Sequence, residues 1–160
     1  TSTGIKNATT RNLISDTIYY LGGHNSFSVY PNQIYEKERG TTVYSGRPTE
    51  WTGKIALAYP SDYGYAADLG KCSQNLNNYN NSTCTSNNWM KAIVAPNYGW
   101  LLTPRSGIAS NVWYVYSSGG VYYNSYVYNA YGVAPVLYLN SELAVEAGTG
   151  SSSAPYQLSA

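Results

Sequence analysis

Charged side chains are scarce in this 160-residue chain. Eight acidic and nine basic residues make up 11% of it and nearly cancel, to a net charge of +1. An intracellular domain commonly carries about twice that fraction of charge. Because the charged residues are few and nearly balanced, the sequence indicates no basic surface that would bind nucleic-acid phosphates or an anionic membrane. We therefore expect no nucleic-acid partner, and the composition is typical of secreted or surface-displayed β-rich proteins.

Long apolar runs are also missing. No stretch approaches the roughly 20 residues that a membrane-spanning helix needs, so we expect no direct membrane insertion by this segment. The chain opens on Thr1 with no initiator methionine and no signal peptide. We expect a processed form or a fragment, with any N-terminal anchor or helix lying outside it. The length fits one domain over residues 1–160.

Residue types that carry out catalysis are few and scattered. The one histidine, His24, follows two glycines, and Asp16, Asp62 and Asp68 are the candidates to orient it in a Ser-His-Asp arrangement. Nothing in the sequence brings them together, and a lone histidine in a Gly/Asn turn is usually solvated. The eight acids are spread along the chain, which gives no support to a calcium site of six to eight oxygens. We expect no enzyme, no metal and no cofactor.

The two cysteines, Cys72 and Cys84, are separated by eleven residues rich in asparagine. This spacing matches no zinc-binding pattern. A disulfide that closes a small polar loop is the favoured interpretation, and two free thiols in a cytosolic protein are the alternative.

Turn residues and apolar runs divide the chain into short elements. Pro31 in a first turn and Gly40 at the end predict a helix over 31–39. Residues 75–88 are half asparagine, seven of fourteen, and predict a surface loop tied down by the cysteines. Strands are expected at 18–21, 51–59, 100–104 and around 156–158, whereas 61–67 supports no assignment and 148–154 reads as a polar turn. The fold class predicted is α+β, dominated by strands, with one or two short helices and a Tyr-rich C-terminal hairpin.

Tyrosine is what the chain has in abundance. Seven of its nineteen tyrosines fall within residues 111–131, together with three asparagines and three serines. Tyrosine supplies a large amphipathic contact area at low cost in rotamer entropy, and serine and asparagine supply adaptable hydrogen bonds. This composition is typical of a surface that recognises a ligand without chemically changing it.

The hairpin in this region has a predictable register. Trp113 and Val115 share one face of the first strand, and Val121, Tyr123 and Val127 share one face of the second. The two apolar sets meet only if Val115 pairs with Val121, which requires an odd connection of three or five residues with Gly119 or Gly120 in a left-handed conformation.

The opposite face then carries the candidate ligand-binding residues. We expect it to be exposed, because tyrosine hydroxyls favour a wet edge; the alternative is that another element covers it as core. With two further residues of the stretch, the predicted site is Tyr114, Tyr116, Tyr122, Asn124, Tyr126, Tyr128, Asn129 and Tyr131.

Several motifs resemble a bacterial family with a C-type-lectin-like fold, of the kind shared with formylglycine-generating proteins. They cover most of the chain from about Leu21 onward. In sequence order they are Glu-Arg-Gly-Thr-Thr-Val-Tyr at 38–44, Trp-Thr-Gly-Lys at 51–54, Tyr-Pro-Ser-Asp-Tyr-Gly-Tyr-Ala at 59–66, Trp-Leu-Leu-Thr-Pro at 100–104, Gly-Val-Ala-Pro-Val-Leu-Tyr-Leu at 132–139, Gly-Thr-Gly at 148–150 and Pro-Tyr at 155–156.

The resemblance implies a bacterial surface protein. Members are often pilin-like, and related variable proteins are targets of diversity-generating retroelements, which turn Asn codons into Tyr, Ser, Asp, His or Gly codons. Trp113, Val115, Gly132 and Pro135 would then be scaffold, and the Tyr and Asn residues between them the variable surface. The family usually has Arg where this chain has Ala134. Formylglycine-generating relatives use a cysteine pair with copper, but Cys72 and Cys84 stand in a different context.

The favoured hypothesis is therefore a non-catalytic, extracellular, adhesin-like recognition domain at the bacterial cell surface. Its partner would be a cell-surface glycan or protein. The alternative is the globular domain of a type IV pilin-like filament subunit, in which the tyrosines pack against identical subunits.

Overall fold

A computed structural model describes residues 7–151 and 153–159 as an α+β chain in which antiparallel strand pairs predominate. The predicted fold class is confirmed at this level. The helices are α1 (Ala8–Asn12), α2 (Pro31–Glu38), α3 (Pro60–Tyr65), α4 (Ser82–Ser86) and α5 (Lys91–Val94), with a 3₁₀ turn at Leu76–Asn78. The strands are β1 (Thr17–Tyr20), β2 (Glu50–Gly53), β3 (Ile55–Leu57), β4 (Gly99–Pro104), β5 (Asn111–Val115), β6 (Val121–Tyr126), β7 (Pro135–Leu137), β8 (Ala144–Ala147) and β9 (Gln157–Ser159).

The strands form four small antiparallel sheets. Their orders are β1-β2, β3-β7, β4-β5-β6 and β8-β9. The strands expected at 18–21, 100–104 and around 156–158 are present as β1, β4 and β9. The turn expected at 148–154 includes Ser152, which lies outside the described residues.

The prediction of one or two helices is wrong, because the described residues contain five α-helices. Only α2 is long enough to show a sequence pattern, and it was expected. The others are too short for periodicity, and α1, α3 and α4 begin at side-chain caps. In α3, Pro60 occupies the first turn and the carboxylate of Asp62 accepts a hydrogen bond from the backbone N–H of Tyr59 at 2.9 Å. The unassigned segment 61–67 is therefore largely helical.

Residues 51–59 form two strands rather than the single strand predicted. β2 pairs with β1, placing Trp51 opposite Tyr19, whereas β3 pairs with β7, placing Ala56 opposite Val136. The chain changes partner at Lys54. Its ammonium donates to the carbonyl of Ile14 at 2.6 Å, at the break between the two strands.

The asparagine-rich segment 75–88 is not the surface loop that was predicted. It contains the 3₁₀ turn and α4, and the side chains of Leu76, Tyr79 and Cys84 are buried in the core. The amide of Asn81 caps α4 by accepting from the N–H of Thr83 at 2.9 Å. Three buried side chains without regular spacing are enough to anchor a polar segment. The disulfide to Cys72 is confirmed.

The core lies between the inner face of the β4-β5-β6 sheet and the helical segments. Trp113, Val115 and Val121 are fully buried there, as are Ile34 of α2 and Tyr63 of α3. Tyr63 also donates its hydroxyl hydrogen to the carbonyl of Gly119 at 3.1 Å. The hairpin that carries the candidate site therefore sits directly on the core.

A buried carboxylate joins two of these helices. Glu38, at the end of α2, is fully buried and accepts hydrogen bonds from the backbone N–H of Ser61, at 3.0 Å, and from its hydroxyl. The guanidinium of Arg39 lies 3.4 Å from the same carboxylate. Burial nevertheless dominates and raises the pKa of Glu38 to about 7.

Distant parts of the chain meet beside α1. Backbone hydrogen bonds join the N–H of Ser15 to the carbonyl of Tyr138 at 2.9 Å and the N–H of Asn140 to the carbonyl of Leu13 at 2.8 Å. The hydroxyl of Ser15 also donates to the side-chain oxygen of Asn140 at 2.8 Å, across 125 positions of sequence. The described N-terminal segment is thus held by the C-terminal third.

Candidate ligand-binding surface

The hairpin turns as its hydrophobic pattern predicts. Val115 pairs with Val121, both buried, and five residues connect them. Gly119 adopts a φ of 102°, in the left-handed region that favours glycine. A larger residue would be disfavoured there for a second reason: its β-carbon would lie 2.8 Å from the methyl group of Thr85. The register of the first half of the hairpin is therefore confirmed.

An aromatic cluster covers the outer face of this hairpin. Its members, which we call the tyrosine surface, are linked by ring-centroid distances of 4.5 to 6.4 Å and are Tyr98, Trp100, Tyr114, Tyr116, Tyr122 and Tyr131. Four of the six belong to the predicted site. Sequence reasoning missed Tyr98 and Trp100. They lie in or just before the strand predicted at 100–104, but its pairing with the hairpin, which places Trp100 opposite Tyr114, could not be inferred from the sequence.

Tyr114 is buried at the centre of the tyrosine surface and is not an exposed contact residue. Only 8% of it is accessible, against the expectation of exposure for this face. Tyr98, Trp100, Tyr122 and Tyr131 surround its ring, and its hydroxyl donates to the side-chain oxygen of Asn124 at 3.2 Å. Burial raises the pKa of Tyr114 to about 12, so its hydroxyl stays protonated. Tyr116, by contrast, is 38% exposed.

A bulge divides the predicted face in two. Val112 pairs with Ser125 and Tyr114 with Tyr122, so one residue of β5 lies opposite two residues of β6. Beyond the bulge, Tyr126 and Tyr128 stack on each other at 5.1 Å, and no ring contact among the described residues joins them to the tyrosine surface. Tyr126 and Tyr128 are exposed as expected, but they do not belong to the tyrosine surface.

Two other predicted positions differ from expectation at this end of the hairpin. Val127 was expected to face inward, but β6 ends at Tyr126 and Val127 is 55% exposed. Asn129 donates its amide hydrogen to the hydroxyl of Ser125 at 2.9 Å and so secures the end of β6. Asn129 does not line the cavity described next.

A shallow cavity of about 330 Å³ opens on the tyrosine surface. Tyr116 and Tyr122 supply aromatic walls, and Asn124 supplies an amide. Ser118 comes from the turn and Asn80 from the segment between the two cysteines. Asn80 is exposed and was not predicted, since nothing in the sequence relates it to the hairpin. The segment that carries Asn80 also contacts the hairpin through the hydrogen bond from the Tyr122 hydroxyl to the carbonyl of Asn77, at 3.2 Å.

The chemistry of the cavity is neutral. Its described lining consists of tyrosine rings, amides and a hydroxyl, with no acidic or basic side chain. Amides both donate and accept hydrogen bonds, and tyrosine offers an apolar face beside its hydroxyl. Such an arrangement can bind a neutral, hydroxyl-rich or amide-rich ligand.

His24 does not line the cavity on the tyrosine surface. Its imidazole stacks on buried Trp113 at 6.3 Å, so it is half-buried rather than solvated as expected. Burial lowers its pKa, and the nearby charge of Lys37 acts in the same direction. Within residues 7–151 and 153–159, no group of three or more His, Cys, Asp or Glu side chains is placed to hold a metal ion.

Comparison of the chain with family models, with curated proteins and with solved structures finds no match. In the part of the chain that the structure describes, every helix is too short or too polar to cross a bilayer.

Proposed function

We propose that this chain is a non-catalytic recognition domain with a C-type-lectin-like fold, displayed outside a bacterial cell, and that it binds a glycan or protein ligand through the tyrosine surface. The observation that carries the proposal is the cavity formed by Tyr116, Tyr122, Asn124, Ser118 and Asn80. It presents the exposed ring of Tyr116 and the half-exposed ring of Tyr122 beside the exposed amides of Asn80 and Asn124. The disulfide supports an oxidising compartment.

Neutral glycans are the ligand class that this lining fits best. The C–H face of a sugar ring packs against an aromatic ring, and its hydroxyls exchange hydrogen bonds with amides. Because the described lining carries no charged side chain, we expect the cavity not to favour acidic sugars over neutral ones. Asn80 and Asn124 would fix the orientation of the ring that Tyr116 and Tyr122 hold.

Binding to a panel of immobilised neutral and acidic oligosaccharides tests this proposal. We expect Tyr116→Ala to weaken binding to neutral members by about 2 kcal/mol, as for an aromatic hot spot. Asn80→Ala removes an exposed amide and should cost about 1 kcal/mol of binding energy with unchanged stability. Tyr156→Ala and Asn97→Ala are the matched controls, because both residues are exposed and lie outside the cavity. Equal binding by Tyr116→Ala and wild type would contradict the proposal.

A pilin-like structural role is the second candidate. It is favoured by exposed apolar side chains away from the tyrosine surface, including Ile18 and Tyr20 on the outer face of β1 and Trp89 before α5. Sedimentation of the purified chain over a range of concentrations separates the two candidates. Self-association that Ile18→Ser or Trp89→Ser reduces, with no oligosaccharide binding, would favour subunit packing.

The tyrosine surface also suits diversification by a retroelement. Trp113 and Val115 are fully buried, whereas Tyr116, Tyr122 and Asn124 line the cavity, so changes at the latter positions leave the core intact. Deep sequencing of codons 105–135 across cells of one source population should find variation at the Tyr, Asn and Ser positions, with Trp113 constant. A uniform sequence over these codons would contradict diversification and favour a fixed adhesin or filament subunit.

A further inference from the structure

A second cavity, of about 350 Å³, lies on a part of the molecule that the proposed function does not use. It opens between the turn after Tyr44 and the end of β4. Its walls are mostly apolar, with Leu21, Leu102 and Val127 among them, and its two charged lining residues are Arg47 and Arg105. It shares no lining residue with the cavity on the tyrosine surface, so the two proposals are independent.

Arg105 is held in place but not neutralised. Its Nε–H donates to the side-chain oxygen of Asn25 at 2.6 Å, and its guanidinium lies 4.7 Å from the centre of the Tyr123 ring. The residue is half-buried, and no carboxylate of the described residues pairs with it. A guanidinium has five N–H donors, and here one is used. No hydrogen bond among the described residues uses its Nη donors, which can therefore hold an anion.

Arg47 adds a second positive charge at the same cavity. It follows Gly46, whose φ of 77° turns the chain, and its own N–H donates to the carbonyl of Tyr44 at 3.0 Å. Its side chain is exposed and forms no ion pair with the described residues. Two guanidinium groups without an acid partner in an apolar cleft favour one kind of occupant, a molecule with a negative head and an apolar body.

We propose that this cleft binds a small organic anion, whose carboxylate pairs with Arg105 and Arg47 and whose apolar part lies against Leu21, Leu102 and Val127. The volume is at the lower end of the roughly 300–1,000 Å³ found for ligand pockets, so the ligand is small. Arg105 contributes more than Arg47 because partial burial reduces the screening of its charge by water.

Three probes that share a phenyl ring and a two-carbon side chain but differ in charge test the proposal. Phenylacetate, phenylacetamide and phenethylamine are each titrated into the full chain, and amide chemical shifts are followed by NMR. We expect phenylacetate to bind with a dissociation constant of about 1 mM, which is ordinary for a ligand of roughly ten heavy atoms. The amide should bind at least about tenfold more weakly, and the amine not measurably. The shifts should centre on Leu102 to Arg105 and on Tyr44 to Arg47.

Variants then identify the groups responsible. We expect Arg105→Gln to weaken phenylacetate binding at least about tenfold and Arg47→Gln about threefold. Val127→Asp, which adds a negative charge at an exposed lining position, should abolish binding and serves if Arg105→Gln fails to fold. Lys71→Gln, an exposed cation elsewhere, is the control and should bind as wild type. Equal binding of the acid and the amide, or no binding of phenylacetate at 10-fold above about 1 mM, would overturn the proposal.

Discussion

We expect the free energy of unfolding to fall by about 3 kcal/mol as the pH rises from about 4.5 to about 7, because of Glu38 alone. Burial raises the pKa of this carboxyl to about 7 in the folded chain, whereas an exposed Glu titrates near 4.5. Between these two values the folded chain binds one proton more than the unfolded chain. Stability from the protonated form is therefore fully present at low pH and is lost as the pH rises.

Glu38→Gln should remove this dependence. The amide oxygen can still accept from the backbone N–H of Ser61, and the side chain carries no charge at any pH. Urea unfolding of wild type and variant at a series of pH values measures the effect. Glu36→Gln is the matched control, since Glu36 is exposed on the same helix. A Glu38→Gln variant that keeps the wild-type slope would contradict the assignment.

Asp62 and His24 also change the pH dependence of stability. The difference between wild type and Glu38→Gln is therefore more informative than the stability curve of either protein alone. Burial also raises the pKa of Asp62, which therefore acts in the same direction as Glu38. Burial lowers the pKa of His24, so protonation of its unfolded form favours unfolding at low pH. The contribution of His24 is common to wild type and Glu38→Gln and cancels in the comparison, whereas the charge of Asp62 also raises the pKa of Glu38, so part of its effect belongs to the difference.

Loss of the disulfide should affect both stability and binding. Joining Cys72 and Cys84 across twelve positions restricts the unfolded chain, and such a loop is worth about 3 kcal/mol. The double variant Cys72→Ala/Cys84→Ala should therefore unfold at a lower guanidinium concentration. Because Asn80 lies between the two cysteines and lines the cavity, oligosaccharide binding should weaken as well.

A single variant separates the cross-link from the packing of the sulfur atoms. Cys72→Ala removes the bridge but keeps the buried side chain of Cys84, so it should lose most of the stability that the double variant loses. Wild type under reducing conditions should behave similarly. A loss below about 1 kcal/mol in the double variant would contradict a stabilising bridge.

The parts of the fold that the sequence predicted are those where side-chain parity decides the structure. The pairing of Val115 with Val121 follows from keeping Trp113 and Val115 on one buried face, and the structure agrees. The helix from Pro31 was predictable because proline begins it and an apolar side repeats along it. In both cases the information is local.

What the sequence could not supply depends on contacts between distant residues. The bulge opposite Trp113 interrupts the regular pairing of residues on the same face of the two strands. No residue type near it indicates that a bulge will form. Asn80 reaches the cavity only because Leu76 and Tyr79 are buried beneath the hairpin, and their apolar character is masked by the surrounding asparagines. The candidate site was thus predicted on the hairpin and missed where another segment contributes.

The pairing of Ser15 with Tyr138 and Asn140 has a consequence for how the chain folds. Contacts this far apart in sequence form only after a large loop has closed, and folding rates fall as such contacts increase. During synthesis, the segment around Ile14 must wait until residue 140 has emerged before it finds its partner. Until then, Ile14 and Tyr19, which are buried in the folded chain, lack the cover of that partner, and a growing chain is most exposed to aggregation in that interval.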